Sequence, residues 1–128
     1  MPDGTGNRAV IEPDLQWHII NANGMSLFRK QVRTQLMAIL EKKKLSISTL
    51  SSDLAVSTRT LQRRLKKEGT SYQSEVNNLR EELARHYLEN STYSGAEIAD
   101  LLGYDDANSF IRAFHSWTGT TPKTLRQK

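Results

Sequence analysis

If the stretch Thr58–Lys67, TRTLQRRLKK, is helical, then Arg59, Gln62, Arg63 and Lys66 share one side of it, at i, i+3, i+4 and i+7. Arginine offers a planar fork that fits guanine O6 and N7, and glutamine pairs bidentately with adenine N6 and N7. These are the groups that read base edges. Lys66 and Lys67, near the end, suit phosphates, whose contacts position a protein without carrying sequence information. An ordinary solvated helix face mixes acids with its cations. From Thr58 to Lys67 there is no acid at all.

Leu61 and Leu65, four apart, must face inward on that helix. The residues before it, Leu50 to Val56, read as a short apolar helix and a tight turn, and Ser57 supplies a cap. A short helix, a turn and a second capped helix make a helix-turn-helix, whose second helix enters a DNA major groove. A second segment, IADLLGYDDANSFIRAF from Ile98, echoes it. Leu50 aligns with Ile98, Leu54 with Leu102, Ala55 with Gly103 and Val56 with Tyr104. One extra residue then brings Leu61 onto Phe110 and Leu65 onto Phe114. In this copy Asn108, Ser109 and Arg112 can project outward. The set is thinner and has lost the surplus of charge.

The elements that position these faces follow from caps and periodicity. Ser26 caps a helix to about Lys43, with Leu27, Phe28, Val32, Leu36, Ile39 and Leu40 at helical spacing. Ser46 caps a short helix over 47–54, Ser57 caps 58–67, and Gly69 ends the latter. Thr70 to Gln73 reads as a capping box for a long helix to about Glu89, with Tyr72, Val76, Leu79, Leu83 and Tyr87 as its buried stripe. Ser94 to Glu97 is another box, for a helix through Leu102. Asp106 or Asn108 starts the next, which runs to Trp117, and Thr121 with Pro122 starts a last short one. The expectation is an all-α chain of about seven helices, with two helix-turn-helix lobes (about 32–69 and 92–126) joined by a linking helix over about 71–89. Residues 1–25 are weakly patterned and read as a tail or linker, with Trp17 docking on the body. Nineteen helical residues span about 28 Å. Successive major-groove faces lie about 34 Å apart, so such a strut could place both reading helices on one side of a duplex.

The 128 residues carry a net charge of +4, unevenly spread. Residues 26–70 hold eleven Lys and Arg against three Asp and Glu, whereas residues 71–128 hold six against eight. The basic field sits on the first lobe and suits a polyanionic partner. There are no cysteines, which excludes disulfides and thiolate zinc sites. No apolar run reaches the ~18 residues that would span a bilayer, and the N-terminus lacks the pattern of a secretory signal. A cytoplasmic protein is expected.

The stretches SISTLSSDLAVSTRTLQRRLKKEGTS (46–71), REELARHYL (80–88) and AEIADLLGYDDANSFIRAFHSWTGTTP (96–122) together resemble the DNA-binding domain of the AraC/XylS family of bacterial transcription regulators. The pattern GY-x7-RAF-x2-W-x-G-x2-P from Gly103 to Pro122 is the most specific part. The resemblance covers roughly residues 32–126 and implies a seven-helix, two-lobed domain. It implies that Arg59, Gln62 and Arg63 approach bases in one groove, and Asn108, Ser109 and Arg112 in the next. It also implies phosphate contacts near Ser57, Thr60, Lys66, Lys67 and His115. Four residues depart from the family's pattern. Ala55 stands where a turn glycine is common, Gly95 where an aliphatic residue is usual, His115 where Lys or Arg is usual, and Leu125 where an aromatic is frequent. A histidine there would carry a charge that depends on pH.

The resulting expectation is a sequence-specific, double-stranded DNA-binding regulator or the DNA-binding fragment of one. No cofactor or metal is expected. Further partners of such a regulator would be RNA polymerase and an N-terminal sensing or dimerising domain. An enzyme is disfavoured, because His18, His86 and His115 are scattered and no catalytic constellation forms. The alternative is a protein-interaction module that keeps the fold without binding DNA.

Overall fold

The computed structural model describes residues 11–21 and 24–127, and among these it contains eight helices and no strand. They are α1 (Pro13–Ile20), α2 (Leu27–Glu41), α3 (Ile47–Asp53), α4 (Thr58–Lys67), α5 (Tyr72–Asn90), α6 (Gly95–Leu101), α7 (Ala107–Thr118) and α8 (Pro122–Arg126). Two compact units emerge, Met1–Leu79 and Arg80–Lys128, with the long α5 running through the boundary.

Helices α2 to α8 are the seven expected, and α1 is an addition. Part of the segment expected to be a tail is therefore a helix. Pro13 opens it, as proline tolerates the first turn, and Ile19 is buried while Trp17 is 62% exposed. The docking residues are thus Ile19 and Ile11, not Trp17. Glu41 of α2 fixes this arrangement by accepting the Ile11 amide at 2.6 Å. Residues 1–10, 22, 23 and 128 lie outside the described residues.

In the first unit the apolar stripes of α2, α3 and α4 and the start of α5 close over one core. Val32, Leu36, Leu50, Leu61, Leu65 and Leu79 are its centre, each essentially without solvent contact. Burying a leucine so completely stabilises by roughly 1.5–3 kcal/mol. In the second unit Ile98, Leu102, Phe110 and Phe114 are fully buried. Phe110 and Phe114 meet edge to face at 5.9 Å, and Trp117 closes on Phe114 at 6.4 Å.

The expected caps form. Ser26, Ser46, Ser57, Ser94 and Thr121 each accept an amide hydrogen bond at the start of α2, α3, α4, α6 and α8. At α5 the cap is Ser71, whose Oγ accepts from Ser74 N at 3.1 Å, rather than Thr70. The Thr70 hydroxyl donates instead to Glu75 Oε2.

The two helix-turn-helix turns share one hydrogen-bond pattern. In the first, Ala55 N donates to Ser52 O and Val56 N to Ser51 O, both at 3.0 Å. In the second, Gly103 N donates to Asp100 O at 3.1 Å and Tyr104 N to Ala99 O at 2.9 Å. Both copies need a left-handed residue at the bend, and the first copy places an alanine there, at φ +59°. Arg80 braces the second turn. Its Nε donates to Leu102 O at 2.8 Å and its guanidinium lies 4.3 Å from the Tyr104 ring centre. Burial pushes the Tyr104 hydroxyl above its ordinary pKa, and Arg80 pulls the other way.

Candidate nucleic-acid interface

Helix α4 forms because Ser57 caps it, Leu61 and Leu65 are pulled into the core, and its other residues prefer water. That fixes its rotation. With the leucine pair inward, Arg59, Gln62, Arg63, Lys66 and Lys67 are all exposed. Among the described residues none of these five side chains has a hydrogen bond or ion pair. Five donors held on a rigid helix, with no acid to neutralise them, make a surface ready for an acceptor-rich polyanion.

At the start of α4, Ser57 and Thr60 are bonded to each other. Ser57 Oγ accepts from Thr60 N at 3.0 Å and donates to Thr60 Oγ1 at 2.9 Å. Its proton is used in the cap. The hydroxyl proton left over is that of Thr60, which is half-buried. The helix is also tied at this end to α3, through Thr58 Oγ1 and Ser51 Oγ at 3.1 Å.

Helix α7 is amphipathic by the same logic, with Phe110 and Phe114 inward. Asn108, Arg112 and His115 are exposed, and Ser109 is half-buried. The structure links several of these groups locally. Ser109 N donates to Asp106 Oδ1 at 2.7 Å, and Arg112 Nη2 reaches Ser109 Oγ at 3.4 Å. The Ser109 amide, with its hydroxyl and Arg112 assisting, holds the Asp106 carboxyl below its ordinary pKa. The two reading-helix candidates therefore start on different charges. A neutral serine caps α4, leaving its N-terminal amides attractive to phosphate. An aspartate caps α7 and cancels that attraction.

Three residues at these helices escaped the sequence reading. Asp106 was considered only as a start signal, although its charge opposes a polyanion. Ile111, next to Arg112, is 38% exposed. Arg64 is exposed on α4 but lies over the Phe28 ring at 4.1 Å. The first two were visible in the residue types, whereas the Arg64 contact depends on packing across 36 positions.

The family model described as "Helix-turn-helix domain" matches residues 50–128, more than half of the chain. The chain is similar to the ornithine utilization regulator of Pseudomonas aeruginosa, 41% identical over 75 residues, which is 59% of this chain and 22% of that protein. It spans about a quarter of the length of several of the curated relatives it matches. Among solved structures it is similar to the transcriptional regulator CdpR of Pseudomonas aeruginosa, with 31% identity, a TM-score of 0.69 and coverage of 96% of this chain and 38% of that one. It is also similar to the DNA-binding domain of AdpA, a global transcriptional factor solved in complex with a target DNA. There the identity is 25% and the TM-score 0.64, over 76% of this chain and 90% of that one. With two helix-turn-helix turns of one hydrogen-bond pattern and this match, the chain belongs to the AraC/XylS family and carries its helix-turn-helix domain.

Proposed function

We propose that this chain binds double-stranded DNA in a sequence-specific manner, as the DNA-reading part of a transcription regulator. In this reading α4 and α7 enter two successive major grooves, with α5 as the strut that spaces them. Arg59, Gln62 and Arg63 read bases in one groove, and Asn108, Ser109 and Arg112 in the other. Thr60, Lys66, Lys67 and His115 take phosphates, and Ser57 acts through its cap on Thr60. The observation that carries the reading is the outward face of α4, five cationic and amide side chains without an acid, rigidly backed by Leu61 and Leu65. Similarity to regulators, one of them solved on DNA, supports it.

RNA polymerase and a sensing or dimerising domain belong to the same proposal, because the matched relatives are regulators more than twice this chain's length. The cytoplasm, where bacterial DNA lies, is the compartment the reading requires. No helix among the described residues is long and apolar enough to cross a membrane.

The test is selection of bound sequences from a random duplex pool, followed by a salt titration on the selected duplex. A recurrent sequence, and affinity that falls steeply with salt at a slope of about −0.9 per phosphate neutralised, are expected. A pool that stays random through selection would contradict sequence-specific binding.

A further inference from the structure

Arg64 does not share the free display of its neighbours on α4. Its guanidinium carbon sits 4.1 Å from the centre of the Phe28 ring, near the start of α2. Two more ties converge on the same end of α4. Glu68, the residue that caps its C-terminus, accepts from Ser26 Oγ, the hydroxyl that also caps α2. Thr70, just beyond, donates from Oγ1 to Glu75 Oε2 at 2.6 Å. Glu75 is fully buried, and it receives Arg29 Nη2 at 2.8 Å and Arg33 Nε at 3.2 Å.

This network is a poor source of net stability. A buried carboxylate held by guanidinium groups recovers little more than its desolvation cost. Arg29 Nε is buried with no hydrogen-bond partner, which costs further. What charged forks do supply is a fixed geometry, since each bond has its own direction. The contacts end on Arg64 in the last turn of α4, the turn that carries Arg63 to Lys67, and on Glu68 and Thr70 beyond it. A base-reading fork must arrive within the few tenths of an ångström that a hydrogen bond tolerates, so the rotation of this turn governs what Arg63 can read.

We propose that Arg64 and Glu75 are positioning residues for the reading face of α4, Arg64 acting through Phe28 and Glu75 through Thr70. The proposal rests on the DNA-binding reading above. Arg64 places its charge on the ring rather than on a phosphate, and Glu75, through Thr70, holds the chain just past the end of α4. Both determine specificity without touching DNA.

The experiment is a double-mutant cycle on the 128-residue chain, using Phe28→Leu, Arg64→Met, both together, Arg64→Lys, and Glu75→Gln. Affinity is measured for the duplex selected by wild type and for a random duplex, each at two salt concentrations, with helicity followed by circular dichroism. Phe28→Leu and Arg64→Met should each weaken the selected duplex by about three- to tenfold, the range of a cation–π contact. The random duplex should change by less than about twofold, and the salt slope should stay as in wild type. The double variant should be no worse than either single one, Arg64→Lys should recover most of the loss, and Glu75→Gln should lower the selected-to-random ratio. Arg64→Met sits at an exposed position, so it and Glu75→Gln decide the question even if Phe28→Leu loosens the core. Equal loss on both duplexes with a shallower salt slope in Arg64→Met would make Arg64 a phosphate contact and overturn the proposal. An unchanged ratio in Glu75→Gln would remove Glu75 from it. Wild type that holds duplex DNA without any preference would overturn the reading itself.

Discussion

Ala55 and Gly103 hold the same position in two copies of one turn, both in the left-handed region, at φ +59° and +85°. For glycine that region is free. For an L-residue with a Cβ it costs roughly 1–2 kcal/mol. The first turn keeps the same two backbone hydrogen bonds as the second, so the strain is carried by the surrounding packing and not relieved by reshaping. Ala55→Gly should stabilise the chain by about 0.5–1 kcal/mol after the entropy of glycine is subtracted. Gly103→Ala should destabilise it by about 1–2 kcal/mol. Thermal unfolding of the two variants should move Tm in opposite directions, and a drop in Tm for Ala55→Gly would refute the strain at that turn.

In the proposed reading, Arg63 and Lys67 take different roles by their positions on α4. Arg63→Ala should cost about 1–3 kcal/mol on the selected duplex and relax preference at the bases it reads, whereas Lys67→Ala should weaken all duplexes similarly. Parallel selections with the two variants separate the roles. If both weakened selected and random duplexes by the same factor, Arg63 would be no reader of bases.

The seven helices α2 to α8 were legible because each is announced locally. Ser26, Ser46, Ser57, Ser94 and Thr121 stand directly before apolar periodicity, and a cap acts within three residues of itself. The exposed face of α4 was legible for the same reason, since the leucine pair dictates which side faces water. What was not legible acts across distance. Glu75 is of a residue type that usually faces water, yet it is buried against Arg29 and Arg33, more than 40 positions away. Nothing local predicts such a pair. Helix α1 was missed because its eight residues carry only a weak apolar stripe, and its place depends on contacts with α2, among them the Ile11 amide on Glu41. The place of Ala55 at the bend was legible too, because a left-handed bend is a demand of the turn itself.

Asp106 should hold back the second reading helix. Asp106→Asn keeps an N-cap but removes a negative charge beside Asn108 and Arg112. Affinity for any duplex should rise about two- to fivefold at low salt, the size of a charge–helix-dipole effect, and the gain should shrink as salt is added. Because the folded carboxyl titrates below its ordinary value, the cap's contribution is complete at neutral pH and lost as pH falls through the folded pKa. Acid unfolding curves should therefore be shallower for Asp106→Asn than for wild type. Identical acid curves would mean that the carboxylate stabilises nothing there.

Arg126 fastens α8. Its guanidinium donates to the carbonyls of Leu88 at 3.2 Å, Tyr87 at 3.1 Å and Ser91 at 3.3 Å, and to that of Tyr93. Arg126→Ala removes these bonds at once and should destabilise the second unit by about 1–3 kcal/mol. Hydrogen exchange should show faster opening of α8 and of the end of α5, with α2 to α4 unaffected. Uniform acceleration across the chain would contradict a contribution confined to the second unit.

The central claim is that one chain reads duplex DNA with both α4 and α7, and hydroxyl-radical footprinting on the selected duplex tests it most directly. Wild type should protect two patches about one helical turn apart. Arg63→Ala should thin one patch and Arg112→Ala the other. A single patch that disappears with Arg63→Ala and ignores Arg112→Ala would contradict the claim that α7 enters a groove.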